Sequence, residues 1–317
     1  MKLLEFNRHF GSEEECERFL KEHREGEGIV CAGCGGKRHR WDGYNKRWVC
    51  SGCGHETTLR SGTVMHGSKL PLLYWFTAMH LLTSTKKTFS ASEMQRQLGH
   101  KRYQPIWEMM HKLRSVMGQR DGEYDLAGTI ELDEGYFTTE DRTGGDEPLK
   151  RGVGSQRKAK VLVMVESEPE ENPKKGKKSR KCGHLKMKVI QDLKSSTFES
   201  EARDAIAPDA TVVMDNLAAH AGVEEAVAKS ERQTVPGKDA PKVLPWVHVA
   251  IANAKALIRD MYHGVSMELL QLYLDEFCYK FNRKYFGNKT FDRLVIATVR
   301  YRSEFKHRSY KPSPVCG

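Results

Sequence analysis

The chain has 317 residues, and 52 Lys and Arg against 42 Asp and Glu give a formal net charge of +10. The length suggests about two domains, and 38% hydrophobic with 30% charged residues excludes a membrane bundle and wholesale disorder. The longest apolar stretch, Leu70 to Leu82, is too short to span a bilayer, and no signal-peptide core precedes it. We therefore expect a cytoplasmic protein without a membrane partner, whose positive charge serves either solubility or a nucleic acid.

Paired cysteines follow a short charged helix predicted over residues 1–25. The four cysteines have the spacing C-x2-C-x15-C-x2-C. They are Cys31, Cys34, Cys50 and Cys53. This spacing lets two knuckles supply the four tetrahedral thiolates of a structural zinc site. The segment WDGYNKRWVC between the knuckles suits a short hairpin. Two disulfides are the alternative, but they fit poorly with a reducing compartment. Residues 1–65 are thus predicted to form a helix and a zinc ribbon.

Residues 66–122 read as helical. LPLLYWFTAMHLL is apolar nearly all round, as in a buried helix. FSASEMQRQLG offers Ser90 or Ser92 as N-cap and Gly99 as stop, and YQPIWEMMHKLRSVM repeats apolar residues at helical spacing. Three such helices are compatible with a helix-turn-helix that reads a DNA groove, or with an ordinary helical connector. In the first case the phosphate contacts come from Lys101, Arg102, Lys112 and Arg114.

From Gly128 the period changes to that of strands. The strands predicted are GTIELDEGYF, AKVLVMVES, HLKMKVIQDL and, after a helix near 197–207, TVVMD. Two helices joined near Gly264 follow, so residues 123–295 are predicted as an α/β domain. A basic insertion at 166–183 is either a solvated hairpin tip or a track for a phosphate backbone. Residues 296–317 form a basic tail.

Two aspartates are placed where chemistry is expected. Asp133 lies in the middle of an apolar strand and Asp215 at the end of another. Carboxylates brought together by strand pairing make a hard oxygen site for Mg²⁺ or Mn²⁺, as phosphoryl transfer requires. The alternative is an edge-strand charge at Asp133 and a turn after Asp215.

Several motifs together resemble one family. They are the ribbon CAGCGG…WVCSGCGHETTLRSGTVM, the strands IELDEGYF and VVMDN, and the helices WVHVAIANAKALIRDMYHGVSMELLQLYLDEFCYKFNRKY. In this order they resemble an insertion-sequence transposase of the DDE, RNase-H-like type with an N-terminal zinc ribbon. The resemblance implies an RNase-H-like fold, the first two catalytic acids at Asp133 and Asp215, and a host among bacteria or archaea, with the protein at the nucleoid.

The third catalytic position departs from the common pattern. Many relatives carry a His followed five residues later by a catalytic Glu, whereas His248 is followed by Asn253, with Lys255 two residues beyond. This resembles a variant within the group, so Asn253 is the predicted third ligand, with Glu268 and Glu276 ranked below it. An amide oxygen ligates Mg²⁺ without adding charge. The alternative is an inactivated copy.

Further residues near the site have weaker assignments. Lys255 and Arg259 share a helix face and are assigned to DNA phosphates or to ordinary surface charge. His220 and His248 position a ligand or are structural, and Trp246 stacks on an unpaired base or belongs to the core.

We expect a transposase that binds double-stranded DNA at the inverted repeats and the target, at least as a homodimer, and cleaves and transfers strands with Mg²⁺ or Mn²⁺. Two alternatives remain. One is a catalytically inactive zinc-ribbon DNA-binding protein derived from a transposase, and the other is an RNase-H-like nuclease without strand joining.

Overall fold

A computed structural model describes residues 1–140, 157–170, 180–233, 243–262 and 264–306. The chain divides into two compact units, of which the first holds Met1–Met117 and the segment that begins at Phe286, and the second holds Gly118–Tyr285. No helix in these described ranges is long and apolar enough to cross a membrane. Residues 171–179 of the predicted basic insertion, and the tail from 307, lie outside the described residues.

The first unit begins with two helices where the sequence predicted one, α1 (Leu3–His9) and α2 (Glu13–Glu27). The division has a local cause at Ser12. Its hydroxyl accepts a hydrogen bond from the Glu15 backbone N–H at 3.3 Å, and the Glu15 carboxylate accepts one from the Ser12 N–H at 3.1 Å. This reciprocal capping box starts a new helix.

A three-stranded antiparallel sheet follows, formed by β1 (His39–Asp42), β2 (Arg47–Cys50) and β3 (Glu56–Thr58). The hairpin of β1 and β2 was predicted, whereas β3 was not, because three residues give no readable alternation.

Three helices follow, namely α3 (Leu72–Ser84), α4 (Ala91–Leu98) and α5 (Tyr103–Gly122), and the last five residues of α5 belong to the second unit. The predicted limits of α4 are confirmed: the Ser90 hydroxyl accepts from the Glu93 N–H at 3.1 Å, and Gly99 ends the helix at φ 63°. A left-handed residue at this position favours glycine.

The second unit is built on a five-stranded sheet in the order β6-β5-β4-β7-β8. The strands are β4 (Thr129–Thr138), β5 (Lys158–Pro169), β6 (Arg180–Ile190), β7 (Thr211–Asp215) and β8 (Lys229–Gln233). Strands β4 to β6 are antiparallel neighbours, whereas β7 runs parallel to both β4 and β8. The predicted RNase-H-like α/β fold is thus confirmed. Strand β8 was missed because its sequence, KSERQ, is polar throughout.

Helices cover both faces of this sheet. These are α6 (Ser195–Ala205), the short α7 (Ala221–Glu224), α8 (Pro245–Tyr262) and α9 (Met267–Asn282). Ile130 and Leu132 pack into the core beneath α6, whereas Phe137 packs into the core beneath α8 and α9. Because side chains alternate along a strand, Asp133 lies on the face covered by α8 and α9.

Helix α10 (Lys289–Arg300) returns the chain to the first unit. The backbone N–H of Val64 donates to the Thr298 carbonyl at 3.0 Å, and the Arg300 guanidinium lies 2.8 Å from the Glu27 carboxylate. The sequence had placed residues 289–295 at the end of the catalytic domain and residues 296–317 in a tail. The structure instead groups α10 with the first unit. The sequence did not reveal this because the partners of α10 lie more than 200 residues earlier in the chain.

Candidate active site

Strand pairing brings the two predicted aspartates together. Leu132 of β4 is paired in parallel register with Met214 of β7, so Asp133 and Asp215 are the next residues on neighbouring strands. Such strands lie about 4.8 Å apart. The two carboxylates therefore stand side by side, where the parallel ladder ends.

The Asp133 carboxyl is strongly perturbed. Its side chain is 15% exposed. Burial, with repulsion from Glu134 and Asp215, raises the pKa of Asp133 to about 7, although a hydrogen bond from the Glu134 backbone N–H and the charge of His220 act against the rise. A buried carboxylate beside a second one is costly unless a cation compensates it. The donor set fits a divalent cation that prefers oxygen ligands.

His220 supports the second aspartate. Its side chain is completely buried, with Nδ1 2.9 Å from Asp215 Oδ1 and Nε2 3.5 Å from Glu134 Oε2. Burial opposes the charged imidazole, but the nearby Glu134 and Asp215 carboxylates outweigh it and raise the pKa of His220. The His220 imidazole thus lies between two carboxylates. Sequence reasoning missed Glu134, although its position directly after Asp133 was a visible signal.

Helix α8 brings two further predicted residues to the site. His248 Nδ1 lies 3.5 Å from Asp133 Oδ2, and the His248 side chain is 31% exposed. Burial lowers the pKa of Lys255, while the nearby Asp133 acts to raise it, and the Lys255 ammonium lies 5.6 Å from the centre of the Phe137 ring. The Arg259 guanidinium is exposed and contacts Asp260 at 2.9 Å.

The structure does not bring Asn253 to these carboxylates. Asn253 is exposed. Successive residues of an α-helix are rotated by about 100°, so Asn253 lies about 140° around α8 from His248 and only about 20° from Trp246. The Trp246 indole donates to the Arg180 carbonyl of β6 at 3.1 Å, so this flank of α8 is directed toward β6, which β5 separates from β4. On a regular helix, the five-residue spacing thus places the His248 and Asn253 side chains on different sides of α8.

The alternative third acids are also placed elsewhere. Helix α9 packs beside β6, where the backbone N–H of Leu185 donates to Asn282 and that of Val189 donates to Gln271, both at 2.8 Å. On this helix Glu268 is exposed and Glu276 is 1% exposed. Strand β6 is separated from β4 by β5, so neither residue has a position like that of His248.

A buried glutamate that the sequence reasoning overlooked joins β4 to α8. Glu131 is 2% exposed, and its Oε2 accepts hydrogen bonds from the backbone N–H groups of Trp246 and Val247 at 2.7 and 2.9 Å. The pattern E-L-D, with a second acid two residues before Asp133 on the same strand face, was the available signal.

The four predicted cysteines converge in the first unit. Their Sγ atoms all lie within 4.8 Å of one another, with Cys31 3.5 Å from Cys53 and Cys34 3.6 Å from Cys50. Backbone N–H groups of Gly52 and Cys53 lower the pKa of Cys50 to about 6. A Cβ at Gly36 would stand 3.3 Å from Cys34 Sγ, so this glycine leaves room around the thiols. The cluster fits a tetrahedral zinc ion.

The cations predicted to contact DNA divide into two groups. Lys101 and Arg102 are exposed, and Lys112 is partly buried with its ammonium 3.4 Å from the His66 carbonyl. Arg114, in contrast, is 1% exposed, so its guanidinium is not available to a phosphate, and this prediction is corrected. The cause is its register on α5, where it lies four residues after the buried Met110 and three before the buried Met117.

The mixed sheet carries paired aspartates on adjacent central strands, the arrangement that the resemblance to DDE-type transposases predicted. In particular, residues 125–282 match the family of ISXO2-like transposase domains. The chain is therefore an enzyme, an insertion-sequence transposase that carries a domain of this family.

Other comparisons give weaker likenesses. The Mos1 transposase paired-end complex with left transposon end shares 11% identity, covering 71% of this chain and 79% of that chain, with a TM-score of 0.27. The Mos1 Strand Transfer Complex shares 10% identity, covering 73% of this chain and 79% of that chain, with a TM-score of 0.26. No curated protein matches the sequence. The class therefore rests on the family match.

Proposed function

We propose that this transposase binds the terminal inverted repeats of its element and catalyses divalent-cation-dependent cleavage and transfer of DNA strands. The observation that carries the proposal is the adjacency of Asp133 and Asp215 on neighbouring strands inside the transposase domain. One strand would be hydrolysed at each element end, and the freed 3′ hydroxyl would then attack a phosphodiester of the target DNA.

Asp133 and Asp215 would hold Mg²⁺ or Mn²⁺. When bound, the ion supplies Lewis-acid stabilisation of charge on the reacting phosphate oxygens. His220 keeps the Asp215 carboxylate in place from the buried side, and His248 does the same for Asp133 from α8. Lys255 adds a positive charge near Asp133, which suits a phosphate backbone. For Asn253 to serve as the predicted third ligand, α8 would have to turn about its axis.

The first unit would recognise the DNA. Zinc on the four cysteines would close the ribbon, and the exposed Lys101 and Arg102 would contact phosphates from the turn before α5. Because two ends must be joined to one target, we expect at least a dimer on DNA.

The decisive assay uses a labelled double-stranded transposon end with Mn²⁺ and target DNA. Wild-type protein should nick the end and join it to the target. Asp133→Asn and Asp215→Asn should each reduce both products by at least about a thousandfold, while DNA affinity changes little. The exposed Asp209→Asn is the matched control and should remain active.

Other outcomes decide between the proposal and its rivals. Binding without nicking, insensitive to Asp133→Asn, would favour a binding-only protein. Cleavage governed by duplex shape, without joined products, would favour a nuclease.

A further inference from the structure

We propose that Glu131 is a positioning residue that fixes α8 on β4 and thereby sets the distance between His248 and Asp133. The inference rests on the proposed function, since it assigns a role within the same metal-binding site. It concerns a residue that contacts neither substrate nor cation but holds the helix that does contact the site.

The first step is the bond between Glu131 and the start of α8. One carboxylate oxygen accepts both the Trp246 and Val247 backbone N–H groups, at 2.7 and 2.9 Å. The other oxygen, Oε1, is buried and has no hydrogen-bond partner among the described residues. Burying a carboxylate is costly, and here the cost is offset by two backbone donors at the positive end of the helix dipole. The arrangement therefore favours one location of the helix start.

The contact between Glu131 and α8 lies directly beside the carboxylate site. Glu131 and Asp133 are two residues apart on one face of β4, and the residue after Val247 is His248, whose ring lies 3.5 Å from Asp133. Further along, a Cβ at Gly135 would lie 3.3 Å from Ile251 Cγ2. Helix α8 thus follows the strand closely, and a displacement at Glu131 would move the imidazole away from Asp133.

The same unit contains a second buried glutamate for comparison, Glu166, which in addition contacts the His184 imidazole at 2.9 Å. Glu166 of β5 is also buried, at 8% exposure, and also accepts two backbone N–H groups, from Ala127 at 3.1 Å and from His184 at 2.7 Å. Its partners are not on α8. If buried glutamates of this kind serve only stability, substitution at either position should have the same consequences.

The experiment compares Glu131→Gln with Glu166→Gln in the full chain. Calorimetric titration with Mn²⁺ gives the affinity, thermal unfolding gives the stability, and amide hydrogen exchange reports on Trp246 and Val247. We expect Glu131→Gln to weaken Mn²⁺ binding by about tenfold, as loss of an outer-shell contact does, and to speed exchange at both amides. Glu166→Gln should lower the melting temperature to a similar extent with Mn²⁺ affinity unchanged.

Equal Mn²⁺ affinities for wild type and Glu131→Gln would overturn the inference and leave Glu131 a purely structural residue. Should Glu131→Gln fail to fold, Glu131→Asp, which keeps the charge but shortens the side chain, replaces it with the same expectations. Failure of the proposed function looks different: the wild type would then bind no Mn²⁺, or Asp133→Asn would bind it equally well, and the role of Glu131 would fall with it.

Discussion

The cysteine cluster of the first unit and the carboxylate pair of the second differ in how far apart their ligands lie in the chain. All four cysteines lie between residues 31 and 53, and their spacing predicted the cluster that the structure shows. Asp133 and Asp215 are 82 residues apart and meet only because β4 pairs with β7. Local spacing therefore fixes the first site, and tertiary folding creates the second.

The two sites also differ in their electrostatics. The cysteine cluster offers four ligands for a tetrahedral ion and backbone donors that favour a thiolate at Cys50. The carboxylate pair offers two acids, one of them with a raised pKa, and no third acid among the described residues at an equivalent position on α8. The cysteine cluster, with its four ligands, suits a structural ion. The carboxylate pair leaves coordination positions open for a substrate.

Loss of zinc should produce the largest effect. Cys31→Ser should unfold the ribbon, because structural zinc contributes on the order of 10 kcal/mol of folding free energy, and end-specific DNA affinity should fall by at least about a hundredfold. Footprinting measures the affinity, and circular dichroism measures unfolding of the second unit, which should be unaffected. Cys16→Ser, at a cysteine outside the cluster, is the control. A normal footprint after zinc chelation would contradict the comparison.

Asp133→Asn should stabilise the protein when divalent cations are absent from the buffer and the ribbon keeps its zinc. Since the folded-state pKa is raised to about 7, the Asp133 carboxyl destabilises the wild type increasingly as pH rises from about 4 to about 7, and the asparagine variant lacks this contribution. The gain should therefore be near zero at pH 4 and about 1–3 kcal/mol at pH 8. Thermal unfolding at both pH values tests this, with Asp209→Asn as control. An equal gain at both pH values would show that burying the Asp133 carboxylate has no electrostatic cost.

His248→Ala and Asn253→Ala should differ, because only His248 is directed at Asp133. We expect the Mn²⁺ concentration for half-maximal cleavage to rise about tenfold for His248→Ala and less than about twofold for Asn253→Ala. The measurement is a Mn²⁺ titration of cleavage for both variants. The reverse ranking would mean that α8 turns in the active state and that Asn253 is the third ligand.

The smallest expected effects concern DNA phosphates. Lys101→Ala and Arg102→Ala should each lower the slope of log affinity against log salt by about 1. Arg114→Ala should leave this slope unchanged and instead lower the melting temperature of the first unit, because its guanidinium is buried. Binding isotherms at several salt concentrations make the comparison. A slope change for Arg114→Ala would show that the residue becomes accessible on DNA.

Sequence reasoning succeeded where periodicity or spacing carried the information. It predicted four of the five strands of the sheet, the limits of α4 and the convergence of Cys31 with Cys53. It failed where a side chain's direction depends on tertiary packing, as for Arg114; the role of Asn253 stays a prediction. For Glu131 the pattern E-L-D showed a second acid on the strand face, but not its backbone donors, the first of which lies 115 residues away.

The central claim is that Asp133 and Asp215 jointly bind one divalent cation, and direct detection of Mn²⁺ tests it best. A crystal of the wild-type protein grown with Mn²⁺ should show an anomalous peak within about 2.5 Å of one oxygen from each aspartate, and the peak should vanish in Asp215→Asn. An ion bound elsewhere, or a peak that persists in Asp215→Asn, would contradict the account.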